Sequence, residues 1–235
     1  MIFYYIRHGD PIYDPDSLTE LGKRQAESLA RRLSVYGLDR IYSSTSNRAQ
    51  CTAKPTCDLT KLNMELLDFA NEKYAWEDFH VERDGHGRWV FQDEKSRELF
   101  SDISVLSLAH EWYEYPELKR FKKGVDRIYN ETFEFFKTLG YEHIRNTGRY
   151  KVNKPNDERI ALFAHSGFGL AFLSVVLDIP YPIVANHFDM CHSGMTVIEF
   201  KENNGYAIPK LLMLSSDSHL YKDGLPTKYN NEIYI

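Results

Sequence analysis

Short apolar runs alternate with amphipathic stretches along most of the chain, and each change of period predicts a change of element. Ile2 to Ile6 is continuously apolar, β-branched and aromatic, the pattern of a strand covered on both faces. Thr19 is an N-cap candidate, and Gly22, Ala26, Leu29 and Leu33 recur at helical spacing across Glu20 to Tyr36, with Gly37 as the stop. Asp39 to Ser43 reads as a second strand, Ser46 to Lys54 as a short helix ended by Pro55, and Met64 to Phe69 as a further strand. The rhythm breaks from Asn71 to Gly140. That stretch holds all three tryptophans, a polar turn at Asp84-Gly-His-Gly87 and a predicted long helix from Glu117 to Leu139. A polar loop is expected from Arg145 to Glu158. After it come an apolar strand (Ile160 to Ala164), a helix (Phe168 to Leu177) and two strands (Thr196 to Phe200 and Lys210 to Leu214).

Strands alternating with helices imply an α/β fold, a three-layer α/β/α sandwich on a mainly parallel sheet. The chain is expected to be a single domain over residues 1–235, with residues 71–145 as an inserted, largely helical cap region lying over one end of the sheet.

Composition narrows the function. A net charge of -5 argues against a nucleic-acid partner, which needs a basic face, but not against a small anionic substrate that a few arginines can hold. Cys51, Cys57 and Cys191 form no CxxC pair and leave one over, which suits a reducing compartment. No run approaches a membrane span, and the apolar start is interrupted by Arg7, too short for a signal core. A cytoplasmic protein is expected. Oligomeric state is unreadable.

The chemistry gathers at strand ends. Arg7-His8-Gly9 directly follows the first strand, Ser43-Ser-Thr-Ser-Asn-Arg48 the second, and Ala164-His165-Ser166-Gly167 opens a helix after an apolar strand. Ligands of open α/β sheets bind beyond the carboxyl ends of strands, so these segments converge where a site would form. Gly9 lets the backbone turn with little bulk near a ligand, and the amides at Ser166 open a helix N-terminus suited to an anion. Guanidinium forks match phosphoryl oxygens, and a neutral imidazole can attack phosphorus.

Arg7-His8-Gly9, then Leu18-Thr19-x-x-Gly22-x-x-Gln25-Ala26, then Ser43-Ser-x-x-x-Arg48-Ala49-x-x-Thr52-Ala53, then Ala164-His165-Ser-Gly167, resembles the histidine phosphatase superfamily, which also holds the cofactor-dependent phosphoglycerate mutases. The likeness covers residues 1 to 54 and 159 to 214. It implies that His8 is phosphorylated, that Arg7, Arg48 and His165 grip the phosphoryl group, and that no cofactor or metal is needed. It also implies a carboxylate proton donor after the second helix. Glu72 is the first candidate, Glu77 and Asp78 are alternatives and Asp68 a weaker one. Two departures stand out. Asp14 occupies a position where many members carry Asn, and would repel phosphate if it faced inward. The mutases' motif for a distal carboxylate is absent, which favours hydrolysis over transfer.

The expectation is therefore a phosphomonoester phosphatase. A mutase-type phosphotransferase, a silent phosphate-binding module and a metal-dependent hydrolase are its rivals. The cluster Asn186-His187-x-Asp189-x-Cys191-His192 fits no standard zinc spacing, and His192 is instead a candidate for the substrate pocket wall. Tryptophans and tyrosines between residues 74 and 115 are expected mostly in the core, with a pocket wall as the functional alternative.

Overall fold

The computed structural model describes residues 1–229, so positions 230–235 of the expected 1–235 domain lie outside the described residues. The elements around the site are β1 (Ile2–Arg7), α1 (Glu20–Tyr36), β2 (Arg40–Ser44), α2 (Asn47–Thr60), β3 (Met64–Leu67), α3 (Glu72–Phe79), α4 (Lys122–Thr138), β4 (Arg159–Ala164), α5 (Ser166–Leu177), β5 (Met195–Glu199) and β6 (Lys210–Ser216). The six strands make one sheet in the order β6-β5-β1-β4-β2-β3. From β1 to β3 all pairings are parallel, while β5 and β6 run antiparallel on the other side. The mainly parallel α/β/α architecture expected from the alternation is the one found.

Side-chain alternation in β1 explains the layers. Tyr4 and Ile6 face a cluster with Leu29 and Leu33 of α1 and Ala53 and Cys57 of α2. Phe3 and Tyr5 point the other way, toward Phe135 and Phe136 of α4 and Phe168 and Phe172 of α5. A strand apolar at every position thus holds both layers, each buried side chain contributing about 1.5–3 kcal/mol. Helix α1 starts as its sequence demands: Thr19 accepts from the Gly22 amide at 3.0 Å.

Three local expectations fail. Helix α2 does not end before Pro55 but runs through it to Thr60. It buries Ala49, Thr52, Ala53, Thr56 and Cys57, and that packed stripe outweighs one missing backbone bond. The expected long helix from Glu117 is a 3-10 segment, Pro116–Phe121, followed by α4. The polar loop at 145–158 instead contains strand Arg149–Val152, paired with Tyr141–Ile144 and with Tyr206–Ala207. Tyr150 and Val152 are buried between exposed Arg149 and Lys151, a period of two hidden among polar residues. The segment after α3 is mostly short helices plus one hairpin, His80–Arg83 with His86–Trp89, turned at Asp84 and Gly85, both at positive φ. Trp112 belongs to the core there, packed on Phe100, Phe121 and Tyr181. Among the described residues no helix is long and apolar enough to cross a membrane.

His219 offers a stability test. It is buried, bonds Ser193 Oγ at 3.0 Å, and burial, followed by the Arg32 charge, pushes its pKa down to about 4. The unfolded chain then takes up this proton near pH 6.5 and the folded chain only near 4. This contribution is complete above 6.5 and is lost as pH falls toward 4, about 3 kcal/mol in all. Urea unfolding at pH 7.5 and 4.5 should show a smaller pH difference in His219→Gln, by about 2–3 kcal/mol; an equal difference would contradict it.

Candidate active site

The carboxyl ends of β1, β2, β3 and β4 lie at one edge of the sheet, and a cleft of about 450 Å³ opens there. Arg7, His8, Arg48, Glu72 and Ser166 line it, together with Tyr13, Asn71, Lys73, Trp76, Glu77 and Trp89. Each of the first five sits at a junction where an extended segment hands over to a helix or loop. Arg7 ends β1, Arg48 and Glu72 lie in the first turns of α2 and α3, and Ser166 opens α5.

His8 is fixed by its backbone and by its ring. Its amide donates to Ala164 O at 2.9 Å, and its carbonyl accepts from the Ser193 amide at 3.0 Å. Its Nδ1 lies 2.7 Å from Gly9 O. A carbonyl only accepts, so Nδ1 carries the proton and Nε2 keeps its lone pair. Burial, then His165, Arg7 and Arg48, hold the His8 pKa well below the ordinary imidazole value, so the ring is neutral at pH 7.

His165 meets His8 edge-on, with ring centroids 5.2 Å apart. Its Nε2 lies 2.9 Å from Ser44 Oγ and 3.2 Å from Ser46 Oγ, while its buried Nδ1 has no hydrogen-bond partner among the described residues. Burial and the charges of Arg48 and Arg7 keep it neutral too. Arg48 is held on one side by Asp16, Nη1 to Oδ1 at 2.7 Å, and its guanidinium lies over the Tyr13 ring.

Glu72 reaches across to the start of α5. Its Oε1 accepts from the Gly167 amide at 3.0 Å and its Oε2 from the Phe168 amide at 2.9 Å. Burial raises its pKa, against the pull of those amides and of Arg48 and Arg7. A partly buried carboxyl beside a neutral imidazole and two guanidiniums is equipped to give up and take back a proton.

Residues 3–95 match the profile of the histidine phosphatase superfamily, branch 1. Phosphoserine phosphatase 1 of Hydrogenobacter thermophilus is 31% identical over 140 residues. That match spans 58% of this chain and 58% of the curated relative's length. A phosphoserine phosphatase of Entamoeba histolytica, solved with phosphoserine, superposes with a TM-score of 0.60 at 19% identity, covering 93% of this chain and 98% of that one. A mycobacterial glucosyl-3-phosphoglycerate phosphatase solved with VO3 gives 0.53 at 16% identity, covering 92% and 99%. The two structures share the fold.

Residues 3–95 are thus similar to the histidine phosphatase superfamily, branch 1, and the fold is shared along most of the chain.

Within this fold, several sequence candidates sit elsewhere than expected. Gly9 is not in the cleft wall: its amide is spent on Thr52 Oγ1 at 3.0 Å, and a Cβ would lie 2.7 Å from Gly22 O. Its missing side chain lets the loop press on α1, and its carbonyl orients His8. The amides at the helix N-terminus opened by Ser166 are already taken by the Glu72 carboxyl, so those of Gly167 and Phe168 are not open to a ligand. His192 is not in the cleft wall either; it lies behind Arg7.

Of the rival carboxylates, Glu77 lines the cleft, Asp78 is turned away to Arg127 at 2.6 Å, and Asp68 is tied to Tyr74 Oη and Thr45 Oγ1. Asp14 is exposed. Asp189 and His187 are exposed and Cys191 is bonded to Ser215, and no metal-holding cluster exists among the described residues.

The sequence reading missed Tyr13, Asn71, Lys73 and the assignment of Trp76 and Trp89 to the wall. A signal for one of these existed. Trp76 stands four residues after Glu72, on the same helix face. Trp89 packs so closely on α5 that a Cβ at Gly167 would lie 2.5 Å from its ring.

Proposed function

We propose that this chain hydrolyses a small phosphomonoester in two steps through a phosphohistidine on His8. The observation that carries the reading is the Nδ1 bond to Gly9 O, which leaves the His8 Nε2 lone pair as nucleophile on the cleft floor. Arg7 and Arg48 flank it and balance charge on the phosphoryl oxygens. His165 is not among the residues lining the cleft; it stands edge-on behind His8 with Nδ1 unpartnered among the described residues, and supports the nucleophile from there.

In the first step the Nε2–P bond forms and the P–O ester bond breaks, while protonated Glu72 gives its proton to the departing alkoxide. In the second, Glu72 takes a proton from water, oxygen attacks phosphorus, the N–P bond breaks and neutral His8 returns with inorganic phosphate. The leaving group faces Trp76 and Trp89, which exclude water on that side.

The test is to mix the enzyme with p-nitrophenyl phosphate in chelator-containing buffer, quench without acid, and map the label. An alkali-stable, acid-labile phosphate on His8 is expected. Label on His165, Ser44 or Cys51, or activity that disappears on chelation and returns with a divalent metal, would defeat the proposal.

A further inference from the structure

Behind the cleft, the segment Met190–Gly194 closes on the end of β1 from the side away from substrate. Gly194 O accepts from the Arg7 amide at 3.2 Å, and Met190 O accepts from Arg7 Nη1. His192 completes this grip. Its ring is buried and lies roughly parallel to His8 with centroids 5.8 Å apart, and its Nε2 is 2.7 Å from Arg7 Nη2. Arg7 can only donate, so Nε2 is the acceptor and the His192 proton is on Nδ1. That nitrogen approaches Asp10 Oδ1 at 3.4 Å, an ion-pair distance rather than an aligned hydrogen bond; the same oxygen faces Lys228 Nζ at 3.5 Å, and the other Asp10 oxygen accepts from Thr19 Oγ1 at 2.7 Å.

We infer that His192, backed by Asp10, is a positioning residue that aims Arg7 at the phosphoryl group. The arrangement solves a conflict. A buried guanidinium needs a counter-charge, yet a carboxylate placed directly on Arg7 would compete with phosphate for the same donors. A neutral imidazole orients Arg7 through an uncharged acceptor and keeps Asp10 one residue back, while Asp189 supplies the leading counter-charge and the guanidinium still faces the cleft. Arg48, less deeply buried, does without such a spacer and bonds Asp16 directly. The inference rests on the proposed role of Arg7 as a phosphate grip.

His192→Leu, His192→Gln and His192→Asn separate aiming from packing. Gln Oε1 reaches the place of Nε2 and can accept from Arg7, Leu fills volume without an acceptor, and Asn falls short. The readouts are the inhibition constant of inorganic phosphate, kcat and KM for p-nitrophenyl phosphate, and Tm. Leu and Asn should weaken phosphate binding and lower kcat/KM on the order of 10- to 100-fold, the worth of one hydrogen bond to a charged group. Gln should stay within about threefold of the parent, and in an Arg7→Lys background the Leu change should cost less than about threefold more.

Equal losses in both backgrounds, or Gln as damaging as Leu at unchanged Tm, would overturn the inference. Should Leu fail to fold, Asn against Gln makes the same comparison. If Arg7→Lys by itself leaves phosphate binding intact, the reading of Arg7 as phosphate grip falls first.

Discussion

His8→Ala should abolish phosphoenzyme trapping and lower kcat/KM for every phosphomonoester by at least about 10⁴-fold, the scale seen when a nucleophile is removed. Folding should survive. Among the described residues the imidazole makes one side-chain bond, to the neighbouring Gly9 carbonyl, while the backbone bonds of residue 8 to Ala164 and Ser193 remain. The variant should still bind inorganic phosphate, because Arg7 and Arg48 are untouched. Single-turnover assays on purified variant decide it: residual turnover within tenfold of the parent would mean that another group attacks phosphorus.

Glu72→Gln should separate substrates by leaving group. Alkyl phosphates such as glycerol phosphates release a basic alkoxide that needs a proton, so their kcat/KM should fall about 10²–10⁴-fold. p-Nitrophenyl phosphate releases a weakly basic phenolate, and its kcat/KM, which reports events up to phosphoenzyme formation, should change far less. The pH profile carries the same signature. Glu72 acts as acid only while protonated, and its pKa lies above the usual 4.5, so alkyl-phosphate kcat/KM should fall as pH rises through it. His8 must be neutral, and its pKa lies well below 6.5, so the acid limb falls below the ordinary histidine range. The Gln variant should lose the alkaline limb and keep the acid one. If Glu72→Gln leaves the alkyl-to-aryl ratio unchanged and Glu77→Gln collapses it, the donor is the other carboxylate in the cleft wall.

Much of the frame can be read from local pattern, because a strand apolar at every position, as in Ile2 to Ile6, has few alternatives to a buried sheet. Caps and stops act within one turn, so Thr19 and Gly37 mark α1 without reference to anything distant. The same logic places Arg7, His8 and His165 at or just after strand ends, and Arg48 at the start of the helix that follows one. It failed wherever a distant surface outvoted a local preference. Pro55 stays inside α2 because five residues of that helix are buried against the sheet layer, and Tyr150 makes a strand because partners lie at residues 143 and 207.

The site shows the same division. Residue types at strand ends announce phosphate chemistry, since charge and nucleophilicity belong to the side chain itself. Which proton sits on which nitrogen does not. The Glu72 carboxyl across the start of α5 and the His192–Arg7 contact join residues 95 and 185 positions apart, and only packing brings them within a hydrogen bond. The sequence by itself determined the sheet order's raw material and the reacting groups. Protonation and aim are settled only by the fold, because they depend on neighbours within about 3 Å that the chain supplies from far away.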